Sequence, residues 1–317
     1  MAAPNATSCW RDVCFTSSDV PFYFSPKRQL VEGISDPILA LAAPLISYWV
    51  LSLFFHFLDT QGKEWKWLEA YRIHESEDVK KRNLVSVGEV VWAVVWQQVL
   101  QTALGYVALE EHGADVWHMG KMQGWAKLLS PVVLRLVDPK HQARVLHDLA
   151  YFVYWWGVPT VQLFAAMFVI DTWQYFLHRF MHMNKFFYKH LHSVHHRLYV
   201  PYAFGALYNH PIEGFILDSV GSVLAEMITG MTTRQTLVLF GLASAKTVDD
   251  HCGYRFPLDP FQIVTGNNAD YHDIHHQIIG IKSNFAQPFF IHWDVVLGTR
   301  MTRQEFEARK AKGRKAQ

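Results

Sequence analysis

Residues 37–58, PILALAAPLISYWVLSLFFHFL, contain no charged side chain. At ~1.5 Å per residue a helix of this length crosses the ~30 Å hydrocarbon core of a bilayer, so the stretch predicts a membrane span and sets the fold class. Upstream of it, the N-terminus lacks the basic-then-apolar pattern of a cleaved signal peptide, and insertion is expected to rely on this first span. Downstream, Leu84 to Leu109 is also long enough to cross but holds Glu89, Gln97, Gln98 and Gln101, which predicts a span that faces other helices or lies partly in the interface. Leu149 to Ile170 is uncharged, and its Gly157 and Pro159 predict a kink. Gly214 to Ile228 and Thr236 to Ala245 are shorter and are interrupted by Thr-Gly-Met-Thr-Thr-Arg; they predict a helical hairpin that need not fully cross. The expected architecture is all-α, a polytopic membrane bundle of about four transmembrane helices with a cytosolic, histidine-rich helical cap.

Composition points the same way. Apolar residues make up 50% of the 317, aromatics 15% and charged residues 18%, whereas a soluble domain carries about 25% charged. A net charge of +1 leaves no basic excess to neutralise a phosphate backbone and argues against nucleic acid. Cys9, Cys14 and Cys252 are too few and too scattered for a disulfide framework or a zinc ribbon. Pairing of Cys9 with Cys14 stays open, conditional on a lumenal N-terminus. Lys63, Lys66, Arg72, Lys80, Lys81 and Arg82 follow the first span and by the positive-inside tendency place that loop in the cytosol. Residues 1–36 then form a lumenal segment, and the sequon Asn5-Ala6-Thr7 fits that side, although such triplets arise by chance at least as readily.

The anomaly is histidine, present 18 times. Eight fall in three motifs, His178-Arg-Phe-Met-His182, His192-Ser-Val-His195-His196 and His272-Asp-Ile-His275-His276. Chance predicts roughly 0.06 HxxHH triplets in such a chain, and there are two. On a helix, positions i, i+3 and i+4 share a face, so each motif is expected to aim its imidazoles in one direction. Eight ligands exceed one ion's coordination, so two metals follow. His210 and His251, which flank the hairpin, read on spacing alone as ordinary hydrogen-bonded histidines. Neutral imidazole suits iron, zinc or copper, and the near absence of cysteine disfavours a thiolate site. Two nitrogen-ligated irons at a membrane face can use O2 to break an unactivated C–H bond; zinc would supply only hydrolytic or structural chemistry, though it can replace iron during overexpression. The absence of a serine elbow, a P-loop and a dinucleotide fingerprint argues against hydrolase, kinase and flavoprotein readings. A histidine-rich metal transporter is a rival from another class. Transporters place ionisable ligands near mid-membrane, however, and here they flank the spans.

These motifs, in this order and between these spans, resemble the fatty acid hydroxylase superfamily of membrane di-iron enzymes, over about Asp171 to Thr299 and including KHLHSVHH, NHP, DDHCGY, HDIHH and the terminal Trp293-Asp294-Val-Val-Leu-Gly-Thr. Within it, HRFMHMNKFFYKHLHSVHHRLYVPYAFGALYNHP is similar to the fungal sphingolipid C4-hydroxylases. The resemblance implies an O2-dependent monooxygenase of the endoplasmic reticulum membrane, converting sphinganine or dihydroceramide to the C4-hydroxylated phyto form, with sterol C4-methyl oxidase or lipid desaturase as the alternative. It implies a metal shell of His178, His182, His192, His195, His196, His210, His251, His272, His275 and His276. Residues 37–170 would hold the transmembrane helices and loops, 171–299 the di-iron catalytic domain, and 300–317 a basic cytosolic tail. No His-Pro-Gly-Gly haem motif of a fused cytochrome b5 is present, so electrons from NAD(P)H would come through a separate cytochrome b5 and its reductase. Arg179, Lys185, Lys189 and Arg197 are candidates to dock that acidic donor, or equally a set facing lipid headgroups. Tyr188, Tyr199, Tyr202 and Tyr208 are candidates to contact the lipid's polar head, or interfacial anchors.

Overall fold

A computed structural model of the chain describes residues 7–74, 81–108 and 118–315. In chain order the elements are β1 (Thr7–Trp10), β2 (Val13–Thr16), α1 (Asp36–Gln61), α2 (Lys66–Glu69), α3 (Val87–Ala108), α4 (His118–Leu136), α5 (Pro139–Phe152), α6 (Val158–Met183), α7 (Lys185–His190), α8 (Pro211–Gly214), α9 (Gly221–Thr229), α10 (Thr233–Asp250), α11 (Pro260–Thr265), α12 (Ala269–His276), α13 (His292–Val296) and α14 (Arg303–Lys315). The glycosylation triplet begins outside the described residues.

Three helices are long and apolar enough to cross a membrane: Asp36–Gln61, Val87–Val107 and Pro139–Met183. The chain is a multi-pass membrane protein. The expected count of about four spans is thereby reduced to three among the described residues. The hairpin falls short because its first arm, running on from α8 through α9, carries Glu213, Asp218 and Glu226 and α10 carries Arg234, Lys246, Asp249 and Asp250, charges that hydrocarbon penalises. α8 leads into α9 through a π-helical turn, Phe215–Val220. Pro159 has the effect its sequence position predicts: a second π-helical turn, Val153–Gly157, absorbs the missing backbone donor and joins α5 to α6. Together they run 45 residues, roughly 68 Å at ~1.5 Å per residue. That exceeds the ~30 Å bilayer core, so both ends of this rod project beyond hydrocarbon, and each carries a cap.

At the α5 end, the β1–β2 hairpin, cross-linked by a Cys9–Cys14 disulfide at paired positions, packs Val13 and Phe15 against Met122, Ala126 and Val133 of α4 and Leu146 and Ala150 of α5. At the α6 end lie the histidines. The α10 helix is held against α1, where the Ser244 hydroxyl donates to the Pro44 carbonyl at 2.8 Å and Gly241 allows close approach to Ser47. The polar residues of α3 face protein: Gln98 accepts from the Trp49 indole at 2.9 Å and Gln101 donates to the Gly214 carbonyl.

The basic loop after α1 is stitched onto the histidine end. Arg72 is buried between Asp59 and Glu69 beneath the Tyr254 ring, Ile73 N–H donates to the Gly253 carbonyl, and the Asn83 side chain bonds both backbone groups of Val200 as a strand neighbour would. Within the basic tail, Arg303–Lys315 form helix α14, and the segment is anchored by buried Met301 and Phe306 against Ile274 and by Arg303 on Asp270 and Asp273.

Candidate metal centre

Nine histidines converge into two buried groups. The first comprises His178, His182, His192, His196 and His275, the second His195, His251, His272 and His276; in each, the candidate ligand atoms all lie within 4.8 Å of one another. His178 and His182, four apart on α6, share a face as helical spacing dictates. The two HxxHH motifs depart from expectation. Neither aims all its rings one way: His192 and His196 enter the first group while His195 enters the second, and His272 and His276 enter the second while His275 enters the first. The reason is angular. Adjacent residues diverge by ~100° on α12, and by ~120° on the 3-10 helix His192–Arg197, so a neighbouring pair faces two centres instead of one. Each triplet thus bridges the groups and fixes their separation.

His210 lies apart from both groups. Its Nδ1 accepts the Ile212 N–H at 3.3 Å as the N-cap of α8, and the residue is half-buried. His251, unremarkable on spacing, belongs to the second group because it ends α10 at the point where that helix meets α12.

The rings are held from behind. Nδ1 of His178 donates to the Phe285 carbonyl at 2.8 Å, His195 to Tyr208 at 3.0 Å, His251 to Thr247 at 2.8 Å, His275 to Ser283 at 2.7 Å and His276 to Leu198 at 2.7 Å. Nδ1 of His192 is paired with the Glu213 carboxylate. Committing Nδ1–H outward leaves Nε2 as a bare lone pair pointing inward. Yet Nε2 of His178 and His192 are 3.1 Å apart, those of His251 and His195 3.4 Å, and those of His196 and His192 3.0 Å. In the first two of these pairs both outer protons are already spent, and facing lone pairs at this distance repel unless a cation lies between them. Two nitrogens each ~2.1 Å from one ion and at right angles sit ~3.0 Å apart, so the spacing fits a shared metal in each group. Burial reinforces the neutral form, pushing His192 and His251 down to about 3 and His195 to about 4. It also pushes Glu213 up to about 7.

Sequence reasoning missed the residues that hold this frame. Asp294, fully buried, accepts the backbone N–H groups of Phe285 and Ala286, the Tyr271 hydroxyl and the Thr299 hydroxyl. Asp171 accepts those of Phe289 and Phe290. The two carboxylates thereby fix the segment whose carbonyls orient His178 and His275. Both lie inside the stretch quoted for the resemblance, but a lone acid carries no spacing signal. Glu213 was equally unmarked, three residues after His210. Asp273, between two ligand positions, points away to His74 at 2.6 Å and to Arg303 at 2.7 Å.

Of the tyrosine candidates, Tyr188 places its ring 5.5 Å from that of His182. Tyr208 and Tyr199 act through their carbonyls, toward His195 and Gln277, and the buried Tyr202 hydroxyl has no partner. Lys185, Lys189 and Arg197 are exposed beside the motifs, whereas Arg179 is half-buried and donates to the Tyr175 hydroxyl.

The fatty acid hydroxylase profile matches residues 163–299. Over most of its length the chain is 48% identical to the sphingolipid C4-hydroxylase of Saccharomyces cerevisiae, covering 86% of this chain and 74% of the yeast protein. The chain belongs to the fatty acid hydroxylase family. It is also 42% identical to sphinganine C4-monooxygenase 1 of Arabidopsis thaliana, over 85% of this chain and 89% of that one, and 44% identical to the sphingolipid C4-hydroxylase of Schizosaccharomyces pombe, over 83% and 88%. No solved structure matches the chain. The family profile begins within α6 and ends at Thr299, so it spans the elements that carry the nine converging histidines and both framing aspartates.

Proposed function

We propose that the protein is a membrane di-iron monooxygenase that hydroxylates C4 of a sphingoid base, free or as dihydroceramide, to the phyto form. The carrying observation is the pair of buried imidazole groups at one end of the α6 rod, read together with likeness to C4-hydroxylases along most of the chain. His178, His182, His192, His196 and His275 would hold one iron, and His195, His251, His272 and His276 the other. Bound iron supplies the O2 chemistry: one oxygen atom enters the C–H bond and the other leaves as water, with two electrons and two protons consumed. The chain's own work is positional. Backbone carbonyls and Glu213 fix the tautomers of His178, His192, His195, His251, His275 and His276, burial keeps the rings neutral and excludes water, and the spans deliver a lipid whose reacting carbon lies near its polar head.

The histidine end faces the cytosol of the endoplasmic reticulum in this reading. The basic loop packed on that end supports it, as does the disulfide at the opposite end, which an oxidising lumen favours. Residues 171–299 form the catalytic unit. Electrons come from NAD(P)H through a separate cytochrome b5, with exposed Lys185, Lys189 and Arg197 as the docking face; replacing all three with Glu should weaken donor-dependent turnover while leaving bound iron unchanged. The assignment is tested by supplying microsomes containing the protein with sphinganine, dihydroceramide and a 4-methylsterol and identifying products by mass spectrometry. C4-hydroxylated sphingoid product is expected, and oxidation of the methylsterol alone would overturn the reading.

A further inference from the structure

Where α10 meets α11, three oxygens converge on one side-chain amide. Gln262 Nε2 lies 3.2 Å from Asp249 Oδ1, 3.4 Å from Asp259 Oδ2 and 3.4 Å from the Tyr254 carbonyl oxygen. An amide has only two N–H hydrogens for these three acceptors, and no distance reaches the ~2.9 Å of a well-made bond. Gln262 and Asp249 are 8% and 2% exposed, yet among the described residues Gln262 Oε1 and Asp249 Oδ2 have no hydrogen-bond partner. Lys246, one turn back on α10, is spent on Asp250. Asp259 gives its other oxygen to the Phe261 N–H at 3.0 Å, so only Oδ2 faces the amide. Two carboxylates and a bare amide oxygen held together in this way are costly to bury without a positive charge among them. The iron groups do not reach here: the His251 ring, two residues and ~200° further round from Asp249, bonds the Thr247 carbonyl and faces His195 and His272.

A half-turn of the Gln262 amide about its terminal bond exchanges nitrogen for oxygen. It brings the unpartnered Oε1 to about 3.2–3.4 Å from the same three oxygens. Two oxygens each ~2.4 Å from one calcium ion and at right angles sit ~3.4 Å apart, whereas the ~2.1 Å bonds of magnesium would draw them to ~3.0 Å. We propose that Asp249, Asp259, Gln262 and the Tyr254 carbonyl form a calcium-binding site. Asp249 offers both its oxygens, and water entering beside the half-buried Asp259 completes a shell of about six to eight ligands. The all-oxygen donor set suits a hard cation and separates this site from the nitrogen-lined iron groups. Bound calcium clamps the end of α10, which leads into His251, to α11, which leads into α12 and its histidines. The site is independent of which lipid the histidine end oxidises.

The test titrates calcium chloride into the purified full-length protein, by calorimetry and by thermal melting. The wild type should show a single saturable site, with magnesium at least about tenfold weaker, and calcium should raise the melting temperature by a few degrees. Asp259→Asn keeps a good helix cap while removing one charge. It should weaken calcium binding about tenfold or more and abolish the calcium-dependent rise, with iron content unchanged. Without calcium it should melt no lower than the wild type, because a like charge has gone, a result that loss of a merely structural contact would not give. Asp249→Asn, which is isosteric, should behave alike. His275→Ala, aimed at the first iron group, should still bind calcium as the wild type does. Absence of saturable calcium binding, undiminished binding in both carboxylate variants, or loss of binding in His275→Ala would each overturn the proposal.

Discussion

The two ends of the α5–α6 rod are capped by opposite physics. At the α5 end the β hairpin and α4 close an apolar cluster around Phe15, Met122 and Leu146, with one covalent staple between Cys9 and Cys14. Apolar burial of this sort is non-directional and tolerates shifts of a few tenths of an ångström. At the α6 end nine imidazoles converge at 3.0–3.4 Å wherever their Nε2 atoms face each other, a geometry that is repulsive by itself and that backbone carbonyls, Glu213, Asp171 and Asp294 must impose. The first cap is stable through its contents; the second is stable through its frame and, in the proposed function, through the iron it holds. Their responses to perturbation should therefore separate.

The largest separation is expected from His195→Ala or His275→Ala. Either should abolish C4 hydroxylation and lower bound iron, while the Cys9–Cys14 disulfide and membrane insertion persist; full activity in either variant would remove the metal from the account of this cap. Acid comes next. The unfolded chain's histidines titrate near 6.5, and the folded values of His192, His195 and His251 are depressed to about 3 to 4. Below pH ~6.5 the unfolded state therefore binds more protons than the folded one. Stability of metal-stripped protein should fall by up to about 1.4 kcal/mol per pH unit for each such histidine between pH ~6.5 and ~4. Thermal unfolding of chelated protein at pH 7 and pH 5 measures it, and the sign reverses if the rings are charged in the fold.

Asp294→Ala should cost roughly 3 kcal/mol, because four donors lose a buried acceptor. The loss should appear as released iron as well as lowered melting temperature, since the Phe285 carbonyl that orients His178 moves with it. Smallest is Cys9→Ser. A loop this short contributes about 2 kcal/mol through the unfolded chain, so the variant should lower the melting temperature by a few degrees and leave KM for sphinganine unchanged. A change in KM would show that the two caps communicate through the rod.

The same contrast explains what could be read in advance. The histidine cap announces itself because a rare residue recurs at helical spacing, and eight of its nine converging members were marked by that spacing alone. The α5 cap does not. Helix α4 has mixed composition and stabilises by packing against a hairpin more than a hundred residues away, so no local pattern marks it. The basic loop was legible as charge but not as structure; burial of Arg72 between Asp59 and Glu69 beneath Tyr254 depends on a segment that only folding brings near.

By itself the sequence determined that the chain crosses a membrane, that it is helical, and that its motif histidines are candidate metal ligands, because these follow from apolar length, 3.6-residue periodicity and the improbability of two HxxHH triplets. Tertiary structure decided the number of candidate spans, the exclusion of His210 and the inclusion of His251. It also decided the division of each triplet between two centres. Those depend on the angle between neighbouring side chains on a short helix and on which carbonyl lies behind each ring, quantities that exist only once distant segments are packed together.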